Sequence, residues 1–176
     1  MEKEATKPKK KVLTEEEKAA RMEAARKYTD TLVDKAAAAE SEYAHFTQDQ
    51  VDKIVAAAAL AGSEAALMLA HEAVVETNRG VVEDKDTKNR FATENIYNAI
   101  KDEKTVGIIA EDKIKGEVQI AAPLGVLAGI VPTTNPTSTA MFKSLMALKT
   151  RNAIVFAFHP QAQKCSVHAA HIVYEA

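Results

Sequence analysis

Two short apolar runs in the last third of the chain constrain its fold more than any other feature. Residues Gly125–Val131 and Ala153–Phe158 are almost continuously apolar, as expected of parallel strands that are buried on both faces. A turn and a helical pattern follow each run, which gives the order strand, turn, helix, strand, turn, helix. This order predicts an α/β fold and the start of a doubly wound sheet.

Two capping boxes predict where the first two helices begin. Thr14 is followed by Glu17, and Thr47 is followed by Gln50. At this spacing the two side chains of each pair can satisfy each other's free backbone N–H groups. The first helix is expected to run to about His45, and the second helix to begin directly after Thr47.

Glycine, asparagine and serine residues predict the breaks between the next helices. Gly62 is expected to end the second helix, Ser63 to cap the third, and Asn78 with Gly80 to end the third. The sequence VEDKDTKNRFATENIYNAIKDE then predicts a further helical stretch. Beyond it, VGIIAEDKIKGEVQIAAP predicts two strands joined by a polar turn.

These patterns divide the chain into four segments. We expect a disordered tail at residues 1–12, a helical region at 13–104, a β-hairpin at 105–123 and the start of the doubly wound domain at 124–176. Two parallel strands alone cannot cover their own faces and edges, and the last helical pattern still runs at the final residue. The chain is therefore expected to be the front part of a larger protein.

Composition excludes several classes of partner. The formal net charge is −2, which gives no general attraction to nucleic acid or to an anionic membrane. No stretch has the length of a membrane span, and the first residues lack the apolar core of a signal peptide. The single cysteine excludes an internal disulfide framework and fits a reducing cytoplasm.

The turn after the first apolar run, at residues 131–139, is rich in hydrogen-bonding side chains. It lies at the carboxyl end of a strand, where a doubly wound sheet binds ligands. Pro136 suits the first position of a helix, which makes Asn135 its natural N-cap. Under one interpretation Asn135 only caps the helix. Under the other, the donors at this helix start hold negative charge. The turn lacks the G-x-G-x-x-G pattern of an ordinary pyrophosphate-binding turn.

The segment GIVPTTNPTSTAMFKSLMALKTRNAIVFAFHPQAQ closely resembles the aldehyde dehydrogenase half of the bifunctional aldehyde–alcohol dehydrogenases, which are CoA-acylating enzymes. The upstream segment VVEDKDTKNRFATENIYNAIKDEKTVGIIAED is similar to the helix and hairpin of the same family. The resemblance covers about residues 45–176. It implies a truncated aldehyde-dehydrogenase-type fold, in which residues 124–176 begin the NAD-binding domain.

The resemblance also implies a reaction, the reduction of acetyl-CoA to acetaldehyde by NADH through a thiohemiacetal and a thioester on a cysteine. By its match to the motif, Asn135 would donate its side-chain amide to the developing oxyanion. The positions implied to line the nicotinamide side of the cofactor pocket are Val131, Pro132, Thr133 and Thr134. His159 and Pro160 stand where other aldehyde dehydrogenases have Lys-Pro, whose lysine reaches the adenosine ribose. The alternative for His159 is a residue that closes a turn at a strand end.

Further implications concern parts outside this sequence. The family's nucleophilic cysteine comes downstream in a separate domain, and its iron belongs to a C-terminal alcohol dehydrogenase domain. The family forms homo-oligomers and filaments at full length. As written, the chain is expected to be inactive. Two alternatives stay open: a CoA-acylating enzyme without the alcohol domain, and a short non-catalytic assembly or regulatory partner of the full-length enzyme.

Two sequence features resemble sites but are interpreted as packing or surface features. Cys165 is expected to pack in the core rather than to act as the nucleophile. Cys165, His168 and His171 are spaced by three residues, so they drift around the helix by about 60° per step and converge poorly on one metal ion. His71 is expected to pack within its helix. The sequence predicts no metal site.

Overall fold

The computed structural model describes residues 13–176, so the tail expected at residues 1–12 lies outside the described residues. The helices before the strands are α1 (Glu15–Tyr43), α2 (Gln48–Glu64), α3 (Ala66–Thr77), α4 (Val82–Arg90) and α5 (Ile96–Ile100), and a π-helical turn (Phe91–Asn95) joins α4 to α5. The remaining elements are β1 (Gly107–Asp112), β2 (Glu117–Ala121), β3 (Val126–Val131), α6 (Pro136–Lys149), β4 (Ala153–Phe158), a 3₁₀ turn (Pro160–Ala162) and α7 (Gln163–Glu175).

Both predicted capping boxes are present. The Thr14 hydroxyl accepts the backbone N–H of Glu17, and the Glu17 carboxylate accepts the backbone N–H of Thr14. Thr47 and Gln50 make the same pair of bonds at the start of α2. These bonds involve residues only three positions apart, which is why the sequence predicted both helix starts.

The predicted break at Gly62 is wrong, because α2 continues past it. Gly62 is buried within the helix, where an added Cβ would lie 2.8 Å from Cγ2 of Thr93 and 3.0 Å from Sδ of Met141. The glycine therefore permits close helix packing rather than a helix end. Ser63 donates a hydrogen bond to Glu94, and α3 begins without a side-chain cap.

The predicted end of α3 is confirmed. Asn78 adopts the left-handed conformation with a φ of 52°, and Gly80 follows with a φ of 73°. Asparagine and glycine tolerate positive φ better than other residues, so they commonly end helices in this way.

A π-helical turn interrupts the helical stretch that the sequence predicts after residue 81. The buried Thr93 hydroxyl donates to the backbone oxygen of Asn89 at 2.9 Å. Phe91, at the first position of the turn, is 58% exposed, whereas Thr93 is fully buried. Such turns are rare inside helices and frequently occur at functional sites.

The two sheets have the predicted strand directions. Strands β3 and β4 are parallel, with Val126 opposite Ala153 and Val131 opposite Phe158, and α6 connects them. Strands β1 and β2 form an antiparallel hairpin. The α/β fold class is thus confirmed. The expected burial on both faces is wrong for residues 13–176, where Ile130 is 70% exposed.

The core lies between α2, α3, α6 and α7. Its largest fully buried apolar side chains are Leu69, Met141, Leu145, Val51 and Val55. Burying side chains of this size stabilises the fold by roughly 1.5–3 kcal/mol each before the entropy cost is subtracted. The core therefore fixes α6, and with it the turn that leads from β3 into α6.

The polar end of α6 ties several elements together. The buried Lys149 ammonium donates to Asp52 in α2 at 2.7 Å and to the backbone oxygen of Lys101 at 2.9 Å. Arg151, with a φ of 57°, donates to backbone oxygens that follow α1 and end β2. Asn152 accepts the backbone N–H groups of residues 124 and 125. The segment KTRN, residues 149–152, therefore stabilises the fold by hydrogen bonds between elements.

No single helix in residues 13–176 has the length and apolar character needed to cross a membrane. Helices α2 and α3 meet that test only when taken together, and a bend of 59° separates them.

Candidate active site

The predicted cofactor-binding residues come together at one edge of the parallel sheet. The backbone N–H of His159 donates to the backbone oxygen of Val131 at 3.1 Å. The segments that follow β3 and β4 therefore start side by side. This places residues 132–135 next to His159 and Pro160, at the strand ends where open α/β sheets bind ligands.

The turn after β3 contains a buried polar atom without a partner. Val131 is 1% exposed, and the Oγ1 atom of Thr133 is buried with no hydrogen-bond partner in the described part of the chain. Pro132 and Thr134 are exposed. Buried hydroxyls normally have hydrogen-bond partners. The Thr133 hydroxyl is therefore available to bond a ligand at this turn.

The position of Asn135 at the start of α6 is as predicted, with Pro136 in the first turn. Its side chain, however, makes no capping hydrogen bond. Instead, Oδ1 of Asn135 accepts a hydrogen bond from Nζ of Lys88 at 3.2 Å. The interpretation of Asn135 as only a helix cap is therefore wrong for its side chain.

A cleft of about 640 Å³ is lined by residues of α4, the π-helical turn and α6, and has Asn135 in its wall. Its polar lining comes from Asn135 and four other residues, which are Thr87, Lys88, Ser138 and Thr139. Its apolar lining residues are Phe91, Ala92, Ile96 and Phe142. A concave site that combines apolar side chains with polar groups is the usual form of a small-molecule site.

Two lysines of α4 reach the turn after β3, and sequence reasoning missed both. Nζ of Lys85, a residue only 5% exposed, donates to the backbone oxygen of Thr134 at 3.0 Å. Burial lowers the pKa of Lys85, and the nearby charge of Lys88 lowers it further. Their three-residue spacing places them on one helix face, but nothing local in the sequence identifies what that face meets.

His159 closes the turn after β4, as one of its two predicted roles requires. Its Nδ1 atom accepts the backbone N–H of Gln161 at 3.1 Å. Because Nδ1 is the acceptor, the neutral ring carries its proton on Nε2, which can donate to another group. A second cavity of about 560 Å³ lies beside this turn and is lined by Glu76, Thr77, Asn78, Arg79, Pro160 and Gln161.

Cys165 has the properties of a packing residue. It is 1% exposed, and burial, together with the neighbouring Glu76, raises the pKa of its thiol to about 12. A nucleophilic cysteine requires an accessible thiolate, so this thiol is unsuited to catalysis. Glu76 in turn accepts the backbone N–H groups of Lys164 and Cys165 and thus caps α7.

The histidines near Cys165 face separate partners. Nδ1 of His168 lies 2.8 Å from Glu72, and Nδ1 of His171 lies 3.7 Å from Glu175. Among residues 13–176, no three His, Cys, Asp or Glu side chains are grouped so that they could hold a metal ion.

The predicted packing role of His71 is wrong, because its side chain is exposed.

The sequence model of the aldehyde dehydrogenase family matches residues 2–176. The chain belongs to this family. The match supports the resemblance that the segments around Asn135 and residues 149–154 predict, and it includes the whole region that contains the strand-edge site.

Individual relatives include an aldehyde-alcohol dehydrogenase and an acetylating aldehyde dehydrogenase. It is 57% identical over 147 residues to the bifunctional aldehyde-alcohol dehydrogenase AdhE of Escherichia coli (strain K12), covering 84% of this chain and 16% of that protein. An acetylating aldehyde dehydrogenase from Geobacillus thermoglucosidasius has a TM-score of 0.83 at 50% identity, over 85% of this chain and 33% of that one. An engineered glycolyl-CoA reductase with bound NADP+ has a TM-score of 0.68 at 28% identity, over 83% and 32%. The chain thus spans about one sixth of the curated relative's length.

Proposed function

We propose that this chain is part of a CoA-acylating aldehyde dehydrogenase that reduces acetyl-CoA to acetaldehyde with NADH. In this reaction the C–S bond of the thioester breaks and a C–H bond forms. One hydride and one proton are consumed, and free CoA and NAD+ leave. The observation that carries the proposal is the Asn135 amide, which is free of its capping role and lies where the strand edge meets the cleft.

Asn135 would act on the carbonyl oxygen of the acyl group. When a thiolate adds to that carbon, negative charge develops on the oxygen, and the Nδ2 hydrogens of Asn135 can donate to it. A neutral amide stabilises this charge without transferring a proton. The apolar side of the cleft, formed in part by Phe91 and Phe142, would take the short hydrocarbon part of the substrate.

The strand edge fits a nicotinamide cofactor. The Oγ1 atom of Thr133 is a buried hydroxyl without a partner, and Nε2 of His159 is free to donate because Nδ1 is already an acceptor. We assign Val131, Pro132, Thr133 and Thr134 to the nicotinamide side, and His159 with Pro160 to the ribose side. The cofactor supplies the hydride when bound, and these residues bind and orient it. NAD is the proposed form.

The rest of the proposed enzyme lies outside this chain. The nucleophilic cysteine, a homo-oligomeric or filamentous assembly and an iron-dependent alcohol dehydrogenase domain are proposed for the full-length protein by its similarity to the E. coli relative. Cys165 cannot replace the nucleophile because its thiol is buried and protonated. The chain alone is therefore expected to be inactive.

A chimeric enzyme tests the proposal. Residues 1–176 replace the matching segment of the E. coli relative, and the oxidation of NADH by acetyl-CoA is followed by absorbance. We expect the chimera to be active. We expect Asn135→Ala to lower kcat by about 10²- to 10³-fold, while Asn98→Ala, at an exposed asparagine of α5, leaves kcat unchanged.

The possible outcomes separate the site assignment from the function. A folded, assembled chimera without acyl-CoA reduction would contradict the proposed function and favour the non-catalytic assembly partner. An active chimera in which Asn135→Ala retains full kcat would preserve the function but remove Asn135 from the oxyanion site.

A further inference from the structure

Lys85 and Lys88, one helical turn apart in α4, contact two consecutive residues of the turn between β3 and α6. Nζ of Lys85 lies 3.0 Å from the backbone oxygen of Thr134, and Nζ of Lys88 lies 3.2 Å from Oδ1 of Asn135. Both lysines belong to α4, which is 47 to 49 residues away from the turn in sequence. Lys85 is buried, whereas Lys88 is exposed and does not fill the core.

We propose that Lys88 is a positioning residue that sets the orientation of the Asn135 amide, and that Lys85 holds the backbone from which this amide projects. This inference rests on the proposed function, because it assigns a task to Asn135. It adds one requirement for catalysis, the orientation of the Asn135 amide by Lys88, which involves neither the nucleophile nor the cofactor.

The chemistry of the two groups gives the amide a single preferred orientation. An ammonium group can only donate hydrogen bonds, so it selects the oxygen of the asparagine amide and not the nitrogen. With Oδ1 held by Lys88, the Nδ2 hydrogens are left to donate to the developing oxyanion. A rotation of the amide by half a turn would instead present oxygen to the developing oxyanion, and the two oxygens would repel each other.

Charge strengthens this arrangement. A hydrogen bond from an ionised donor is roughly twice as strong as a neutral one, and it polarises the amide so that the N–H groups become better donors. Lys88 thus favours the oxyanion through Asn135, at the point where charge develops in the transition state.

The relative position of α4 and α6 is fixed independently of Lys88. The buried Thr137 hydroxyl donates to Oδ1 of Asn89 at 2.8 Å, and Nδ2 of Asn89 donates to the backbone oxygen of Ala66 at 2.8 Å. Together with the buried Lys85, these bonds hold α4 against α6. Removal of the exposed Lys88 amine is therefore expected to leave the fold intact.

A double-mutant cycle in the active chimera tests the inference. The variants are Lys88→Met, Asn135→Ala, their combination, and Lys88→Arg, which keeps a cationic donor. We expect Lys88→Met to lower kcat by about 10- to 100-fold with little change in the KM for acetyl-CoA. Lys88→Arg should recover most of the loss. Lys53→Met, at an exposed lysine of α2, is the matched control.

The double variant distinguishes positioning from other roles. If Lys88 acts through Asn135, the combination should lose no more kcat than Asn135→Ala alone. Losses that multiply, or an unchanged kcat in Lys88→Met, would overturn the inference. A higher KM for acetyl-CoA with unchanged kcat would also overturn it and would assign Lys88 to CoA binding instead. A folded, assembled chimera that is inactive before any substitution contradicts the proposed function itself.

Discussion

At the scale of single residues, the buried Cys165 and the half-buried Tyr43 keep their protons to a higher pH than they would in water. Burial, with a contribution from Glu76, raises the pKa of the Cys165 thiol to about 12. Burial is also the main cause that raises the pKa of Tyr43 to about 12, and the Tyr43 hydroxyl donates to the backbone oxygen of Leu148 at 2.9 Å. Both groups favour folding in their protonated, neutral forms.

These raised pKa values predict that stability falls at alkaline pH. The unfolded chain releases both protons at a lower pH than the folded chain, so the stabilisation is complete below the unfolded pKa values. It is lost as the pH rises from about 9 towards about 12. We expect urea unfolding at low protein concentration to show a shallower alkaline decline in Cys165→Ala than in the wild type. Identical slopes would contradict this prediction.

At the scale of elements, the packing of α2 against the π-helical turn and α6 depends on the absence of one side chain. The Cβ of an alanine at residue 62 would lie 2.8 Å from Cγ2 of the fully buried Thr93. Glycine inside a helix normally costs about 1 kcal/mol relative to alanine. Here the close approach of two elements outweighs that cost.

Gly62→Ala is therefore expected to lower the free energy of unfolding. Overpacking costs about 1–3 kcal/mol, and the higher helix propensity of alanine offsets part of that loss. Thr93→Ser removes the obstructing methyl group but keeps the hydroxyl that bonds Asn89. The double variant should recover most of the loss in urea unfolding. A stabilised Gly62→Ala protein would show that the packing relaxes at little cost.

At the scale of the whole molecule, the hairpin exposes a large apolar surface. Ile108 and Ile120 are directly opposite each other and are 54% and 67% exposed, and Ile114 in the turn is 99% exposed. The parallel sheet of β3 and β4 has two strands. Exposed apolar strands of this kind promote pairing between chains.

We expect the purified chain of residues 1–176 to self-associate, as measured by sedimentation velocity. Replacing the opposed pair by Ile108→Lys and Ile120→Glu should reduce association while preserving a favourable cross-strand pair. Val75→Lys, at an exposed valine of α3 outside the hairpin, is the control and should change association little. A monodisperse wild-type chain would contradict the prediction and favour a self-sufficient short protein.

The sequence by itself determined the features that depend on near neighbours. The capping boxes at Thr14 and Thr47, Pro136 at the start of α6 and the left-handed Asn78 each involve bonds or dihedral angles within a few residues. The two apolar runs indicated where β3 and β4 lie for the same reason, because the residue pattern of a strand is a local property. The segment boundaries at residues 12, 104 and 123 remain predictions.

Only the tertiary structure decided what the side chains meet. Gly62 was expected to end a helix because glycine is common at helix ends. The prediction failed because the close approach of Thr93 to Gly62 cannot be inferred from neighbouring residues. The alternative interpretation of Asn135 as only a helix cap failed for the same reason, since its partner Lys88 is 47 residues away in sequence. Close packing and charge-assisted hydrogen bonds act over a few ångströms in space, so they become visible only once the chain has brought distant residues together.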